Sequence, residues 1–257
     1  MKVENTVTVI TGGASGLGEA TARYLLGNGA RGVVLLDMNA ERGAALENEL
    51  GERALFVQTD ITDMDGVQRA VAVALERFGA IHAMVAAAAI PGPSKLITRN
   101  GPIDMGKFDR VIKVNVYGTL HVMRAAVMAM MRNEPNEDGE RGVVINVASG
   151  AAYEGQIGQI AYSASKAALV GMTMPLAREL AAHGVRVVTI APGAFDTPIY
   201  EGVPPEVKAG MIDLVLFPKR LGKPSEFALF VEEIIRNPLH NGRTYRFDGG
   251  AILPAKS

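Results

Sequence analysis

The sequence predicts an α/β fold in which one doubly wound, seven-stranded parallel sheet carries helices on both faces. Short β-branched runs alternate with longer amphipathic stretches, as in repeated strand–helix–strand units. The 257 residues, 48% of them hydrophobic, suffice for one sizeable core. Because no Ser/Gly-rich or Pro-rich linker and no internal repeat divides the chain, we predict a single domain over residues 1–257.

The individual elements follow from local composition and period. The predicted strands are short, apolar and rich in β-branched residues: Val7–Thr11, Gly32–Asp37, Ala54–Thr59, Ala80–Ala86, Gly142–Ala148, Arg186–Ala191 and Thr244–Asp248. The predicted helices have amphipathic periodicity: Gly18–Asn28, Asn39–Leu50, Asp65–Phe78, Lys107–Met131, Ala161–His183 and Ser225–Arg236. Two polar or Pro/Gly-containing segments, Pro91–Pro102 and Asn133–Gly142, are predicted to be surface loops.

Composition and charge exclude several classes of function. Lys and Arg number 26 against 27 Asp and Glu, so the chain has no overall positive charge for nucleic acid or an anionic membrane. The absence of Cys excludes disulfides and thiolate metal sites, and the four His residues lack ligand-like spacing. The first residues, MKVENTVTVITGG, lead directly into a strand, with no room for a signal peptide. We therefore expect a cytoplasmic protein without a metal, a nucleic-acid partner or a membrane anchor.

A glycine-rich turn follows the first predicted strand and opens the first helix. In the sequence TGGASGLG, Gly12 permits a tight turn, Gly16 lets the backbone approach phosphates and Gly18 lets helix and strand pack closely. The spacing differs from the general G-x-G-x-x-G, and a glycine-rich turn alone is a weak signal. Its position in a strand–turn–helix unit predicts a dinucleotide site of the Rossmann type.

Two acidic residues follow the next strands. Asp37 ends the second predicted strand, where its carboxylate can accept hydrogen bonds from the adenosine ribose and repel a 2'-phosphate. No cation directly follows Asp37, although Arg42 lies within reach, so the sequence favours NAD over NADP. Asp60 follows the third strand and is expected at the adenine edge, with helix capping as the alternative.

Ser149, Tyr162 and Lys166 form the candidate reactive set. Tyr162 and Lys166 are four residues apart and therefore lie on one face of a helix, with the ammonium close to the phenol. A neighbouring ammonium and a cationic nicotinamide favour the phenolate over the phenol. We predict that Tyr162 takes a hydroxyl proton while hydride leaves for the cofactor, and that Ser149 binds the same oxygen.

These residues together resemble the short-chain dehydrogenase/reductase family over essentially the whole chain. The resemblance implies that Asn115 supports proton transfer from Lys166 through water. The alternative is that Asn115 caps an irregularity in a helix. The resemblance also implies that the subunits form a homotetramer. The residues implied to bind NAD are Gly12, Ser15, Gly16, Leu17, Gly18, Asp37, Asp60, Ile61, Ala87, Tyr162, Lys166, Pro192, Gly193, Phe195 and Thr197.

The second half of the chain is similar to a narrower subgroup, the type 2 3-hydroxyacyl-CoA dehydrogenases, also described as 17β-hydroxysteroid dehydrogenases of type 10. The segments that carry this resemblance are Ala151–Gln159, Gly171–Arg178, Thr189–Gly193 and Phe217–Gly222. It implies (S)-3-hydroxyacyl-CoA thioesters as substrates, with hydroxysteroids and other apolar secondary alcohols as alternatives.

Further residues are candidates for substrate binding. Gln156 and Gln159 are candidate substrate contacts beside Ser149 and Tyr162, and for Gln159 the alternative is that it satisfies backbone groups in a turn. Residues 199–217 are a candidate substrate lid because their apolar side chains can exclude water. Lys208, Lys219 and Arg220 are candidates for the phosphates of coenzyme A.

The segment Ala86–Ala89 departs from the family pattern, which has an Asn at the first of these positions and a Gly at the last. The change removes an amide that joins neighbouring strands and places a Cβ at Ala89, near the expected adenosine, with strain as a further cost. It leaves open a rival hypothesis, a non-catalytic NAD-binding scaffold or sensor. An RNA-associated subunit is disfavoured because the net charge is −1 and no basic run occurs.

Overall fold

The computed structural model describes residues 1–93, 95–99, 101–198 and 202–255. Its main sheet has seven parallel strands in the order β3-β2-β1-β4-β7-β8-β9, which confirms the predicted fold. These strands are β1 (Val7–Thr11), β2 (Gly32–Asp37), β3 (Ala54–Gln58), β4 (Ala83–Ala86), β7 (Gly142–Val147), β8 (Val185–Pro192) and β9 (Thr244–Phe247). A short antiparallel pair, β5 (Ile97–Thr98) and β6 (Gly101–Pro102), lies outside this sheet.

Helices cover both faces of the sheet. They are α1 (Gly16–Gly27), α2 (Ala40–Leu50), α3 (Met64–Phe78), α4 (Met105–Ile112), α5 (Thr119–Met130), α6 (Ile160–Leu180), α7 (Pro205–Leu214) and α8 (Pro224–Arg236). One buried core lies between the sheet and helices α3, α5 and α6, and the other lies beneath α1, α2 and α8. Strand β2 contributes to both, with Val34 and Leu36 on one face and Val33 and Leu35 on the other, because successive side chains alternate.

Several element boundaries differ from the predictions. The predicted helix Lys107–Met131 is interrupted by a π-helical turn over Lys113–Gly118, so α4 and α5 are separate elements. Helix α7 and the β5–β6 pair were not predicted. Residues 94 and 100, in the predicted loop 91–102, and residues 199–201, in the predicted lid, lie outside the described residues. Within the described residues, no helix has the length and hydropathy needed to cross a membrane.

The prediction that residues 133–142 form a solvated surface loop is wrong at two positions. Asn133 is buried, and its amide donates to the carbonyl oxygens of Ile81 at 2.7 Å and Arg141 at 2.9 Å. Glu140 is also buried and pairs with Arg186 of β8. Asn133 and Glu140 form hydrogen bonds and an ion pair with other buried groups, whereas most other residues of the loop are exposed to solvent.

The order of the strands determines where a ligand can bind. The chain proceeds from β1 to β2 and β3 in one direction, and then crosses to β4 on the other side of β1. The loops after β1 and β4 therefore diverge at the carboxyl edge of the sheet and leave a crevice between them.

Candidate active site

A cavity of about 720 Å³ occupies this crevice. It is lined by all fifteen residues that the sequence assigned to the cofactor, and by Ser149. These residues come from the loops after β1, β2, β3, β4, β7 and β8 and from the first turns of α1 and α6. The parallel sheet brings them together because the carboxyl ends of its strands share one edge.

The glycine-rich turn has the backbone conformation that its sequence suggested. Gly12 and Gly16 have φ values of +64° and +55°, in the left-handed region that favours glycine. A Cβ built on Gly18 would lie 2.2 Å from the carbonyl oxygen of Gly12, so only glycine allows α1 to approach the turn this closely. The turn and the first amides of α1 thus form a cradle that fits a pyrophosphate.

Asp37 stabilises the same turn from the end of β2. Its two carboxylate oxygens accept hydrogen bonds from the backbone N–H of Ala14 at 3.1 Å and of Asn39 at 3.0 Å. Arg42 donates to the carbonyl oxygen of Ala14 at 3.2 Å and pairs with Glu19 at 3.5 Å. Its guanidinium therefore already has partners in the turn.

Tyr162 and Lys166 lie in the first turns of α6 and line the cavity. The Lys166 Nζ is 5.7 Å from the centre of the Tyr162 ring and donates to the carbonyl oxygen of Val147 at 2.7 Å. Burial lowers the pKa of Lys166 to about 8, because desolvation penalises the ammonium. Ser149 directly follows Ala148 at the end of β7, and its Oγ accepts from the Ala151 N–H at 3.1 Å.

Asn115 is buried in the π-helical turn and does not line the cavity. Its side-chain amide accepts from the N–H of Ile90 at 2.9 Å and donates to the carbonyl oxygen of Ile90 at 3.0 Å. The same nitrogen lies 3.0 Å from the Ser165 Oγ. The side chain thus fixes the loop after β4, and participation of Asn115 in proton transfer stays a prediction.

The structure separates Gln156 and Gln159 from the main cavity. The two side-chain amides bond to each other at 3.2 Å, and the Gln159 Oε1 accepts from the Gln156 N–H at 3.0 Å. The turn-stabilising alternative for Gln159 is thus present in the structure. Gln156 lines a second cavity of about 390 Å³, together with Lys95, Leu96 and the turn Ile157–Gly158.

The three cations considered for coenzyme A have other partners. Lys208 pairs with Asp196 at 2.8 Å, and Lys219 donates to the carbonyl oxygen of Asp213 at 3.0 Å. Arg220 binds both carboxylate oxygens of Glu226, which lowers the pKa of Glu226 to about 2. Two cations that were not singled out, Arg110 and Lys113, do line the main cavity. The signal that marks them is the local excess of positive charge in residues 95–113.

The expectation of backbone strain at Ala89 is wrong. Among the described residues, every residue with positive φ is a glycine, so Ala89 adopts an ordinary conformation. The neighbouring Ala88 N–H donates to the Thr11 hydroxyl at 3.0 Å, which joins this segment to the glycine-rich turn. Ala86 lies beside Asn146 in the sheet, and the buried Oδ1 of Asn146 has no partner among the described residues.

Comparisons with known proteins agree on one family. The family described as short chain dehydrogenase matches residues 6–208. The 3-hydroxyacyl-CoA dehydrogenase type-2 of Drosophila melanogaster is 45% identical over 96% of this chain and 97% of its own length. The crystal structure of 3-hydroxyacyl-CoA dehydrogenase type-2 from Mycobacterium avium has a TM-score of 0.92 and 41% identity, and covers 98% of both chains. A 3-ketoacyl-(acyl-carrier-protein) reductase from Brucella melitensis complexed with NADH has a TM-score of 0.84 and 30% identity, over 96% of this chain and 98% of that one.

Proposed function

This chain belongs to the short-chain dehydrogenase family and is an oxidoreductase acting on CH–OH groups with a nicotinamide cofactor, and on that premise we propose its substrate and its catalytic residues. The substrate is an (S)-3-hydroxyacyl-CoA thioester with a short or branched acyl chain, and the product is the 3-oxoacyl-CoA. The reaction is reversible. The observation that carries the proposal is the buried Lys166 beside Tyr162, in a cavity that Ser149 also lines.

The preferred cofactor in this proposal is NAD. A dinucleotide fits the cavity because the positive-φ glycines leave no Cβ in the phosphate cradle. Asp37 would bind the ribose diol and repel the additional phosphate of NADP. Arg42, the nearby cation, already binds Ala14 and Glu19, which supports the preference.

The side chains divide the proton chemistry between them. The nicotinamide, when bound, supplies the hydride acceptor. Tyr162 takes the proton of the substrate hydroxyl, Ser149 donates a hydrogen bond to the same oxygen, and the Lys166 ammonium stabilises the phenolate. Because the Lys166 Nζ is fixed by the Val147 carbonyl, its charge stays near Tyr162 without substrate.

The acyl-CoA assignment is supported by the similarity to the type-2 dehydrogenases and by the exposed apolar side chains of the proposed lid. Residues 202–217, the described part of the proposed lid, contain α7 and the segment that follows it. Leu216 and Phe217 are 71% and 81% exposed there. In the proposal they cover an apolar substrate and exclude water. Gln156 is proposed to contact the substrate from the second cavity.

Assembly and location complete the proposal. A homotetramer is supported by exposed apolar side chains on helices that otherwise pack on the sheet, such as Met128 of α5, which is 57% exposed. The location is cytoplasmic in this proposal, which the absence of cysteine supports.

Two alternatives differ in what they predict for the purified protein. A hydroxysteroid or another apolar secondary alcohol would use the same residues, and a ketosteroid would then consume NADH faster than a thioester does. A non-catalytic scaffold would bind NADH without turning over either compound. The presence of Ser149, Tyr162 and Lys166 in one cavity favours the enzyme.

The test is NADH consumption with acetoacetyl-CoA by the wild type, Tyr162→Phe and Tyr153→Phe. We expect Tyr162→Phe to lower kcat by about 100- to 10,000-fold, because it removes the acid–base hydroxyl. The Kd for NADH, measured by fluorescence, stays within about twofold. Tyr153 lies outside the main cavity and is the matched control, for which kcat is unchanged. Undiminished turnover by Tyr162→Phe would contradict the mechanism. Faster turnover of a ketosteroid than of acetoacetyl-CoA would identify a hydroxysteroid as the substrate instead.

A further inference from the structure

Residues 95–113 carry an excess of positive charge that the rest of the molecule balances. The segment contains five cations and two acids, a net charge of +3 (five minus two) in a chain of net charge −1. The cations are Lys95, Arg99, Lys107, Arg110 and Lys113. An excess of positive charge on one segment raises the local surface potential and attracts anions.

None of these five cations has an acidic partner within the described residues, and no hydrogen bond of their side chains is recorded there. All five are exposed. Of the two acids, Asp104 is the N-cap of α4, where its Oδ1 accepts a hydrogen bond from the N–H of Gly106. By contrast, Lys208 and Arg220 are neutralised by Asp196 and Glu226.

Three of the cations border the two cavities. Arg110 and Lys113, one turn apart at the end of α4, line the main cavity. Lys95 lines the second cavity, beside the turn Ile157–Gly158. Unpaired positive charge therefore borders both the main cavity and the second cavity, which the proposed substrate contact Gln156 also lines.

The two cations that line the main cavity come from a different part of the fold than the cradle for the cofactor phosphates. The cradle belongs to the turn between β1 and α1, whose helix packs on the face of α2 and α8. Arg110 and Lys113 precede α5, which covers the opposite face of the sheet together with α3 and α6. The cofactor pyrophosphate thus has donors of its own. Coenzyme A carries a pyrophosphate and a 3'-phosphate, and these need cations elsewhere.

We propose that Arg110 and Lys113 bind the phosphate groups of the coenzyme A part of the substrate, while Lys95, Arg99 and Lys107 increase the local concentration of this polyanion. The inference rests on the proposed acyl-CoA function and assigns its phosphate subsite. Arg110 offers a planar fork of N–H donors and Lys113 a mobile ammonium, which together suit adjacent phosphates. Both residues are exposed, so substituting them leaves the core unchanged.

The experiment compares R110Q/K113Q with R124Q/R132Q. The control removes the same charge at two exposed arginines that do not line either cavity. The first readout is the Kd of coenzyme A for the protein saturated with NADH, by calorimetry at low ionic strength. The second is KM for acetoacetyl-CoA and for S-acetoacetyl-N-acetylcysteamine, which has the same reacting group and no phosphate. The third is the Kd of NADH for the free protein.

We expect R110Q/K113Q to raise the Kd of coenzyme A and the KM of acetoacetyl-CoA about tenfold, with a weaker dependence on salt. KM for the truncated thioester and the Kd of NADH stay within about twofold, and the control behaves as the wild type. An unchanged Kd of coenzyme A, an equal effect in the control, or a matching rise in the Kd of NADH would each overturn the proposal. A wild type that turns over neither thioester would refute the proposed function, whereas the calorimetric comparison would still decide whether these cations bind coenzyme A.

Discussion

At the scale of single residues, Lys166 shows what a buried charge costs in stability, a charge that the proposed mechanism uses in catalysis. Lys166 is 3% exposed, its ammonium has no carboxylate partner among the described residues, and it donates a hydrogen bond to the carbonyl oxygen of Val147. Burial lowers its pKa from 10.5 to about 8, a difference that corresponds to roughly 3 kcal/mol. Below pH 8 the folded protein bears this cost in full, since both the folded and the unfolded chain are protonated there.

We predict that Lys166→Met stabilises the cofactor-free protein at pH 7 while abolishing turnover. Removing the buried charge gains roughly 3 kcal/mol, and leaving the Val147 carbonyl without a donor costs about 1 kcal/mol. The free energy of unfolding in urea should therefore rise by about 2 kcal/mol. Between pH 8 and 10.5 the wild type gains stability as the folded chain releases its proton, so the advantage of the variant should shrink. A variant less stable than the wild type at pH 7 would show that burial of Lys166 carries no such cost.

Asn146, the neighbour of Ala86 in the sheet, is a buried polar residue whose side-chain oxygen has no hydrogen-bond partner among the described residues. The two residues are neighbours in register on β4 and β7, so their side chains lie on the same face of the sheet. The only recorded side-chain contact of Asn146 is a long one, 3.5 Å from its Nδ2 to the Thr189 Oγ1, and its Oδ1 has no partner among the described residues. An unsatisfied buried acceptor costs about 1–3 kcal/mol.

We predict that Ala86→Asn raises the free energy of unfolding by about 1 kcal/mol, because the new amide donates to the Asn146 Oδ1. The control is the same substitution in an Asn146→Ala background, where the gain should disappear. Equal effects of Ala86→Asn in both backgrounds, measured by urea unfolding, would assign the change to packing instead.

At the scale of elements, helix α1 depends on two glycines in different ways. Gly18 lies in its first turn against the Gly12 carbonyl, whereas Gly27 is its last residue and has no atom within 4 Å of a built Cβ. The same substitution at these positions therefore has opposite effects. The first displaces the phosphate cradle, and the second only improves helix propensity.

We predict that Gly18→Ala raises the Kd of NADH at least tenfold and lowers the free energy of unfolding by about 1–3 kcal/mol. Gly27→Ala should leave the Kd unchanged and stabilise the protein by about 0.5–1 kcal/mol. Fluorescence titration and urea unfolding measure both quantities. A normal Kd of NADH in Gly18→Ala would show that the glycine-rich turn accommodates the added Cβ without losing cofactor affinity.

The π-helical turn between α4 and α5 is an element that periodicity did not predict. The apolar pattern of residues 107–131 is compatible with one continuous helix, because one widened turn barely changes the spacing on either side. The turn exists where the Asn115 amide bonds to both backbone groups of Ile90. This contact joins positions 25 residues apart, so local sequence does not reveal it.

At the scale of the whole molecule, Glu140 and Arg186 join segments that are distant in sequence. The Arg186 guanidinium binds the Glu140 carboxylate at 2.6 Å and the carbonyl oxygens of His240 at 2.7 Å and Ile235 at 3.2 Å. Both side chains are less than a tenth exposed. The pair thus connects the 133–142 loop, β8, the end of α8 and the segment before β9.

We predict that Glu140→Leu lowers the free energy of unfolding by about 3–5 kcal/mol, because it leaves the buried Arg186 guanidinium and the Met1 ammonium, 3.0 Å from the carboxylate, without their counter-ion. The double variant Glu140→Leu/Arg186→Met should cost less than the sum of the two single substitutions, since the unpaired guanidinium is then gone and only the Met1 ammonium lacks its partner. Urea unfolding of the four proteins measures the coupling. Additive losses would show that the two groups act independently.

The sequence by itself determined the sheet, the cofactor loop and the reactive set, because each depends on local signals. Strand and helix periods, glycine spacing and the four-residue interval between Tyr162 and Lys166 all act over a few residues. Only the tertiary structure decided which cations stay unpaired, that Gln156 and Gln159 bond to each other, and that Glu140 is buried. These outcomes depend on contacts between segments far apart in the chain, and a charged or amide side chain carries no local sign of the partner that it meets on folding.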